Sequence, residues 1–174
     1  FTYLGVRVTH RYEDLFNANF SPLLLEVKED FERRSLLKLS LVARINCVKM
    51  NVLPRFLYPF QCVPIFLTNS FFGRVESLVS DFLWEGRVPR LSRQYLQRPK
   101  SLGGMALRNF RYYYWASNIG VLTAWLRCGP SSPDWLVMET NSAKPVSLAA
   151  LLYSPIKSLT VAYTKNSVVK TSLK

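Results

Sequence analysis

Apolar residues recur at helical spacing in several stretches of the chain. Leu41, Ile45, Val48 and Val52 line one stripe, with Arg44 and Asn51 on one border and Lys49 on the other. Pro54 breaks this pattern abruptly, and Pro54, Pro59 and Pro64 are expected to divide the chain from Leu53 to Leu67 into short pieces. Upstream, Ser21-Pro22 predicts a helix start, a side-chain cap followed by proline at the first helical position. Leu23, Leu24, Val27 and Phe31 then share a face, while Glu26, Lys28, Glu29 and Glu32 point away as a solvated surface. The most regular stripe is Phe71, Phe72, Val75, Leu78, Val79 and Phe82, in a helix ended by Gly86. Trp84 lies off that stripe, where it is open to stacking on a partner or to capping the fold, and capping is expected.

The remaining segments are less periodic. Residues 1–9 put β-branched and aromatic side chains around Gly5, the pattern of a short strand with a glycine where a bulge or a close approach is useful. The run from Arg87 to Lys100 contains Pro89 and Pro99 and reads as an irregular connection, and Gly103-Gly104 predicts a turn. Asn109 is placed to cap a helix running to about Cys128 that is apolar around almost its whole circumference and therefore calls for burial. Beyond it Pro130, Pro133, Pro145 and Pro155 interrupt the pattern. A short helix from Val146 to Tyr153 is expected, and Val161, Val168 and Val169 hint at a strand or a collapsed segment. The fold class is mostly α, divided as 1–20, 21–86 and 87–174.

Composition makes the second half the electrostatic one. The 174 residues are 49% hydrophobic and 14% aromatic, ample for a packed core. Residues 1–85 carry 10 Lys and Arg against 9 Asp and Glu, or +1; residues 86–174 carry 13 against 2, or +11. No carboxylate occurs from Gly86 to Pro133, a stretch that includes Arg87, Arg90, Arg93, Arg98, Lys100, Arg108, Arg111 and Arg127. Such a field draws polyanions, and the aromatic content favours nucleic acid over lipid or an acidic protein because bases stack on flat rings beside cations.

Several chemistries find no residues to carry them. Cys47, Cys62 and Cys128 have no CxxC spacing, and with His10 the sole histidine no zinc set assembles; the cysteines read as small core residues of a reducing compartment. The longest apolar region, Val52 to Leu67, is cut by Pro54, Arg55, Pro59 and Pro64, so no membrane span is expected. Phosphoryl transfer needs carboxylates that hold two metal ions about 4 Å apart. The adjacent pairs Glu13-Asp14 and Glu29-Asp30 have no further ligand placed near them, so the chain is expected to be catalytically inert by itself.

Four pieces in order, over residues 1 to about 116, resemble the thumb region of the reverse transcriptases encoded by LINE-type retrotransposons, those without long terminal repeats. They are Phe1-Thr2-Tyr3-Leu4-Gly5, Arg44-Ile45-Asn46 through Leu53-Pro54-Arg55, Phe82-Leu83-Trp84 with its basic run, and Gly103-Gly104-Met105-Ala106-Leu107 leading into Arg111-Tyr112-Tyr113-Tyr114-Trp115-Ala116. Farther on, Pro133-Asp134-Trp135 and Lys144-Pro145-Val146-Ser147-Leu148 look similar too. The chain departs from the family pattern at Ala43, where glycine is frequent, and at Arg108, where proline is usual.

The resemblance implies a primer-grip-like strand and connection over 1–20, with Tyr3, Leu4 and Gly5 supporting a primer end, then a helical thumb over 21–86 and a basic, aromatic-rich post-thumb segment over 87–174. It implies a role in gripping RNA and DNA, as primer–template or target DNA, through Arg44, Lys49, Arg55, Lys100, Arg108 and Arg111, with Tyr112 stacking on a base. The partners would be nucleic acid and the missing palm and fingers of a longer polypeptide, a reading to which a first residue in mid-strand also points. The parent would be an RNA-directed DNA polymerase using Mg, within a nuclear or cytoplasmic ribonucleoprotein; no cofactor is expected in this segment. Three other readings stay open: a free-standing nucleic-acid-binding module, a segment that docks on a protein through the helix at 109–128, and a decayed copy without function.

Overall fold

Val6 and Arg7 turn back on Thr2 and Tyr3, so the single strand expected over residues 1–9 is a small antiparallel hairpin, β1 (Thr2–Tyr3) and β2 (Val6–Arg7). The turn residues Leu4 and Gly5 both take positive φ, 45° and 81°, as a two-residue hairpin loop requires. In this computed structural model, residues 1–127, 129, 132–143, 147–153 and 167–172 are described. They are predominantly helical, as the periodicity predicts.

A short 3-10 turn at Tyr12–Asp14 leads into α1 (Leu15–Ser35), which places Pro22 in its interior. The helix start expected at Ser21-Pro22 is therefore about two turns too late, and the boundary drawn after residue 20 falls inside one helix. Phe16 and Phe20 explain the extension: both rings meet Phe71 edge-on, at 5.8 and 5.4 Å between centroids, so the turns before Pro22 carry core side chains. Asn19 ties the hairpin down, accepting from the Arg7 backbone N–H at 2.8 Å and donating to its carbonyl at 2.9 Å.

The next rod is continuous from Leu41 to Cys62 rather than broken at Pro54. It runs as α2 (Leu41–Cys47), capped by the Ser40 hydroxyl, then a π-helical turn at Val48–Val52, then α3 (Leu53–Cys62), with Pro54 in its first turn and Pro59 inside it. The wider turn lets the Leu53 N–H bond to the Val48 carbonyl, loosening the ladder where the proline ring would otherwise collide with it. Thr68 caps α4 (Asn69–Trp84), whose buried residues Phe71, Phe72, Val75, Val79 and Phe82 follow the predicted stripe. Glu85 and Gly86 end α4 in left-handed backbone, at φ 55° and 72°.

After α5 (Arg93–Gln97) and a 3-10 turn at Lys100–Leu102, Asn109 caps α6 (Phe110–Leu126) by accepting from the Arg111 and Tyr112 N–H groups. The chain forms two compact units. The first comprises Phe1–Val63 with Leu67–Tyr114, so the basic segment after residue 86 belongs with the helices before it instead of opening a separate region. Its core is a ring cluster: Phe56 lies 5.3 Å edge-on from Phe110, Phe60 5.5 Å from Tyr114, and Phe31 stacks on Phe82 at 4.3 Å.

The second unit holds Pro64–Phe66 and the chain from Trp115 onward. It includes α7 (Asp134–Ala143), α8 (Leu148–Leu152), capped by the Ser147 hydroxyl, and α9 (Ser167–Ser172). Its core gathers Trp125, Leu136, Ala143, Leu148, Leu151 and Val169. The apolar circumference of α6 is only partly buried, since Trp115, Ile119 and Leu126 are about half exposed or more. Cys47 is buried as expected, Cys62 is exposed against expectation, and Cys128, Val146 and Val161 lie outside the described residues. Among the described residues no helix is long and apolar enough to cross a membrane, and no group of three or more His, Cys, Asp or Glu is placed to hold a metal.

Candidate nucleic-acid interface

The loop from Leu96 to Arg108 is folded by its own backbone. Leu96 is buried, the Leu107 N–H donates to the Leu96 carbonyl at 2.8 Å, and the Ala106 N–H donates to the Arg98 carbonyl at 2.8 Å. Gly103 turns the corner at φ 76°, and Gly104 passes so close to Arg98 that a Cβ there would sit 2.2 Å from its carbonyl oxygen. Two glycines are thus required for distinct reasons, one by conformation and one by space. The loop carries Lys100 and Arg108 exposed at the surface.

Lys49, half-buried on the π turn, faces them. Its pKa is lowered, first by burial and then by the charges of Lys100 and Arg108, so the three cations lie within electrostatic reach of one another. Residues separated by some fifty positions are brought into one cationic cluster. Lys49, Arg90, Arg98, Lys100 and Arg108 have no ion-pair partner among the described residues, whereas Arg93 is held by Glu76 and Arg87 lies 3.8 Å from Glu85. Cations within electrostatic reach of one another and without ion-pair partners are an arrangement that an approaching polyanion relieves.

Beside Arg108 opens a cleft of about 300 Å³. Val79, Leu83, Leu96, Leu107 and Phe110, all buried residues, form its floor. Arg90, Arg93 and Arg108 line it together with the Glu76 carboxylate that pairs with Arg93, and the half-buried Trp84, expected to cap the fold, lines it too.

The other predicted contacts lie elsewhere. Arg44 is 1% exposed: it donates to the Phe82 carbonyl at 2.8 Å and the Leu39 carbonyl at 3.1 Å, pairs with Glu85, and lies over the Phe82 ring. It is a fastening between α2 and the end of α4 and cannot reach a phosphate, which corrects its expected role. Arg55 leans on the buried Asp30 carboxylate at 3.7 Å, alongside Arg34 at 2.9 Å and Arg33 at 3.6 Å. The Arg111 guanidinium lies over the Phe72 ring, 5.6 Å from its centroid, while Tyr112 beside it is 62% exposed. Tyr3, Leu4 and Gly5 stand exposed on the hairpin, where the Tyr58 hydroxyl donates to the Leu4 carbonyl. Arg90 and Trp84 line the cleft and Arg98 is exposed on the basic loop, although none of the three was proposed as a contact from sequence; the signal for the two arginines was the long run without a carboxylate. The chain matches no protein-family model.

Proposed function

We propose that this chain is the thumb and post-thumb part of a LINE-type reverse transcriptase, and that its first unit grips the backbone of primer–template or target nucleic acid. The observation that carries this reading is that the carboxylate-free stretch from Gly86 to Tyr114, with exposed Lys100 and Arg108, belongs to the same compact unit as the helical rod that bears Lys49. Phosphates would take the place of the missing carboxylates, with Tyr112 positioned by α6 as an exposed ring for stacking. Catalysis, with its metal ions, would belong to the palm of the parent polymerase, an intracellular ribonucleoprotein enzyme.

Titration of the chain with an RNA–DNA hybrid at several salt concentrations tests the grip. Three phosphate contacts predict that log K falls with log salt at a slope of about −3. Absent or salt-insensitive binding overturns the proposal. Parentage is tested separately by the coding sequence upstream of Phe1, where an aspartate-bearing palm motif is expected and a start codon immediately before Phe1 would point to a free-standing module. A second reading, docking on a protein, is favoured by one observation, the exposed Trp135, Val137 and Met138 of α7. Partner binding that survives neutralisation of the arginines between Gly86 and Arg111 would support it.

A further inference from the structure

We propose that the cleft beside Arg108 receives the base of a single unpaired nucleotide while its phosphate rests on the Lys49, Lys100 and Arg108 cluster. This assignment rests on the grip reading and extends it from backbone charge to base occupancy. A base and its phosphate are joined through one sugar, so a slot for the first has to open next to an anchor for the second. Arg108 meets that condition, lining the cleft and belonging to the cluster.

The cleft is chemically suited to a base. Its volume of about 300 Å³ lies at the small end of ligand sites, and its floor of Val79, Leu83, Leu96, Leu107 and Phe110 is apolar. Trp84 lines the cleft and would supply a ring for stacking, and Arg90 and Arg108, without ion-pair partners among the described residues, would hold the charged part of the nucleotide, while Arg93 is already paired with Glu76. A base inside a duplex is stacked on its neighbours and cannot enter, so the occupant is a bulged, flipped or terminal nucleotide. An acidic aromatic side chain shares some of this chemistry, but it presents one anion, whereas the neighbouring cations suit a repeating one.

Fluorescence anisotropy with three duplexes of one sequence tests the assignment: fully paired, with a single bulged 2-aminopurine, and with an abasic bulge. The purine bulge is expected to bind about tenfold more tightly than the abasic one, with a change in 2-aminopurine emission. Ser80→Trp on α4 and Leu91→Trp on the loop each fill the cleft without touching the cluster. Both should abolish the tenfold preference and leave affinity for the paired duplex unchanged, which also reports that each variant is folded; if one fails to fold, the other carries the test. Equal binding of purine and abasic bulges, or a preference that survives in a folded filled variant, overturns the cleft assignment while the salt-dependent grip stands. Displacement of the purine bulge, but not of the paired duplex, by a Glu-Tyr copolymer overturns it in favour of an acidic aromatic side chain. Failure of every duplex to bind in dilute buffer overturns both readings.

Discussion

Arg44 and Arg108 look alike as sequence, each a cation beside an apolar stretch, and they end in opposite surroundings, the first buried and the second exposed. Arg44 satisfies the Phe82 carbonyl at the end of α4, where orphan carbonyls and the negative end of the helix dipole gather, and it neutralises Glu85. Replacing it with methionine leaves both the carbonyl and the carboxylate without their partner. Arg44→Met is expected to cost about 3 kcal/mol, read from urea unfolding, with the salt slope of nucleic-acid binding unchanged. Arg108→Gln should do the reverse, lowering that slope by about 1 at unaltered stability. The difference was illegible in sequence because the decisive partner, Glu85, lies 41 positions away. Helical spacing places a side chain on a border and says nothing of what covers it. Lys49 adds a pH dependence. Because its folded pKa lies below its ordinary 10.5, the unfolded chain holds more protons between the two values, and stability rises with pH across that window. A bound phosphate favours the ammonium, so binding in that window is expected to take up a proton, an uptake that calorimetry in buffers of different ionisation enthalpy measures and Lys49→Arg removes.

Among the elements, the loop from Leu96 to Arg108 is the most exacting. Gly104→Ala drives a methyl group into the Arg98 carbonyl, so the loop has to open and release the Leu107 N–H from Leu96. Hydrogen exchange at Leu107 should accelerate while α4 stays protected, and affinity for nucleic acid should fall with it. The regular stripe of α4 was legible because period, caps and core face agree. The starts and breaks of other helices were not, since Pro22 and Pro54 are read locally as punctuation. An interior proline costs roughly 3 kcal/mol, and in α1 burial of Phe16 and Phe20 around Phe71 offsets it. In the second unit, Trp125 donates to Glu139 at 2.8 Å, and burial raises the Glu139 pKa more than that bond lowers it. The folded state therefore binds the proton more tightly, and stability contributed by the protonated acid is lost as pH rises above 4.5 through the folded value. Glu139→Gln keeps an acceptor for the indole without the charge and should flatten that loss, as followed by Trp fluorescence in denaturant titrations.

Taken whole, the molecule comprises two compact units, and its positive charge is spread unevenly along the chain. The carboxylate-free stretch was visible in sequence, but the membership of its part up to Tyr114 in the first unit was not, because that part is enlisted by the buried Leu96, Leu107 and Phe110 and by the pairing of Arg93 with Glu76. If the first unit alone holds nucleic acid, ligand at 100 times its Kd should stabilise it by about 2.7 kcal/mol. Hydrogen exchange should then show added protection in α4 and little in α7. Equal protection of both would place part of the grip on the second unit.

The π turn at Val48–Val52 has the form a helix takes when one residue has been inserted into it. Met50, 75% exposed, is the spare member. Excising it would leave a more ideal rod, yet would swing Lys49 by about 100° relative to Phe56 and Phe60 and so out of phase with Lys100 and Arg108. If the proposed grip holds, perfect regularity here and a working grasp are mutually exclusive, and the irregularity is the calibration.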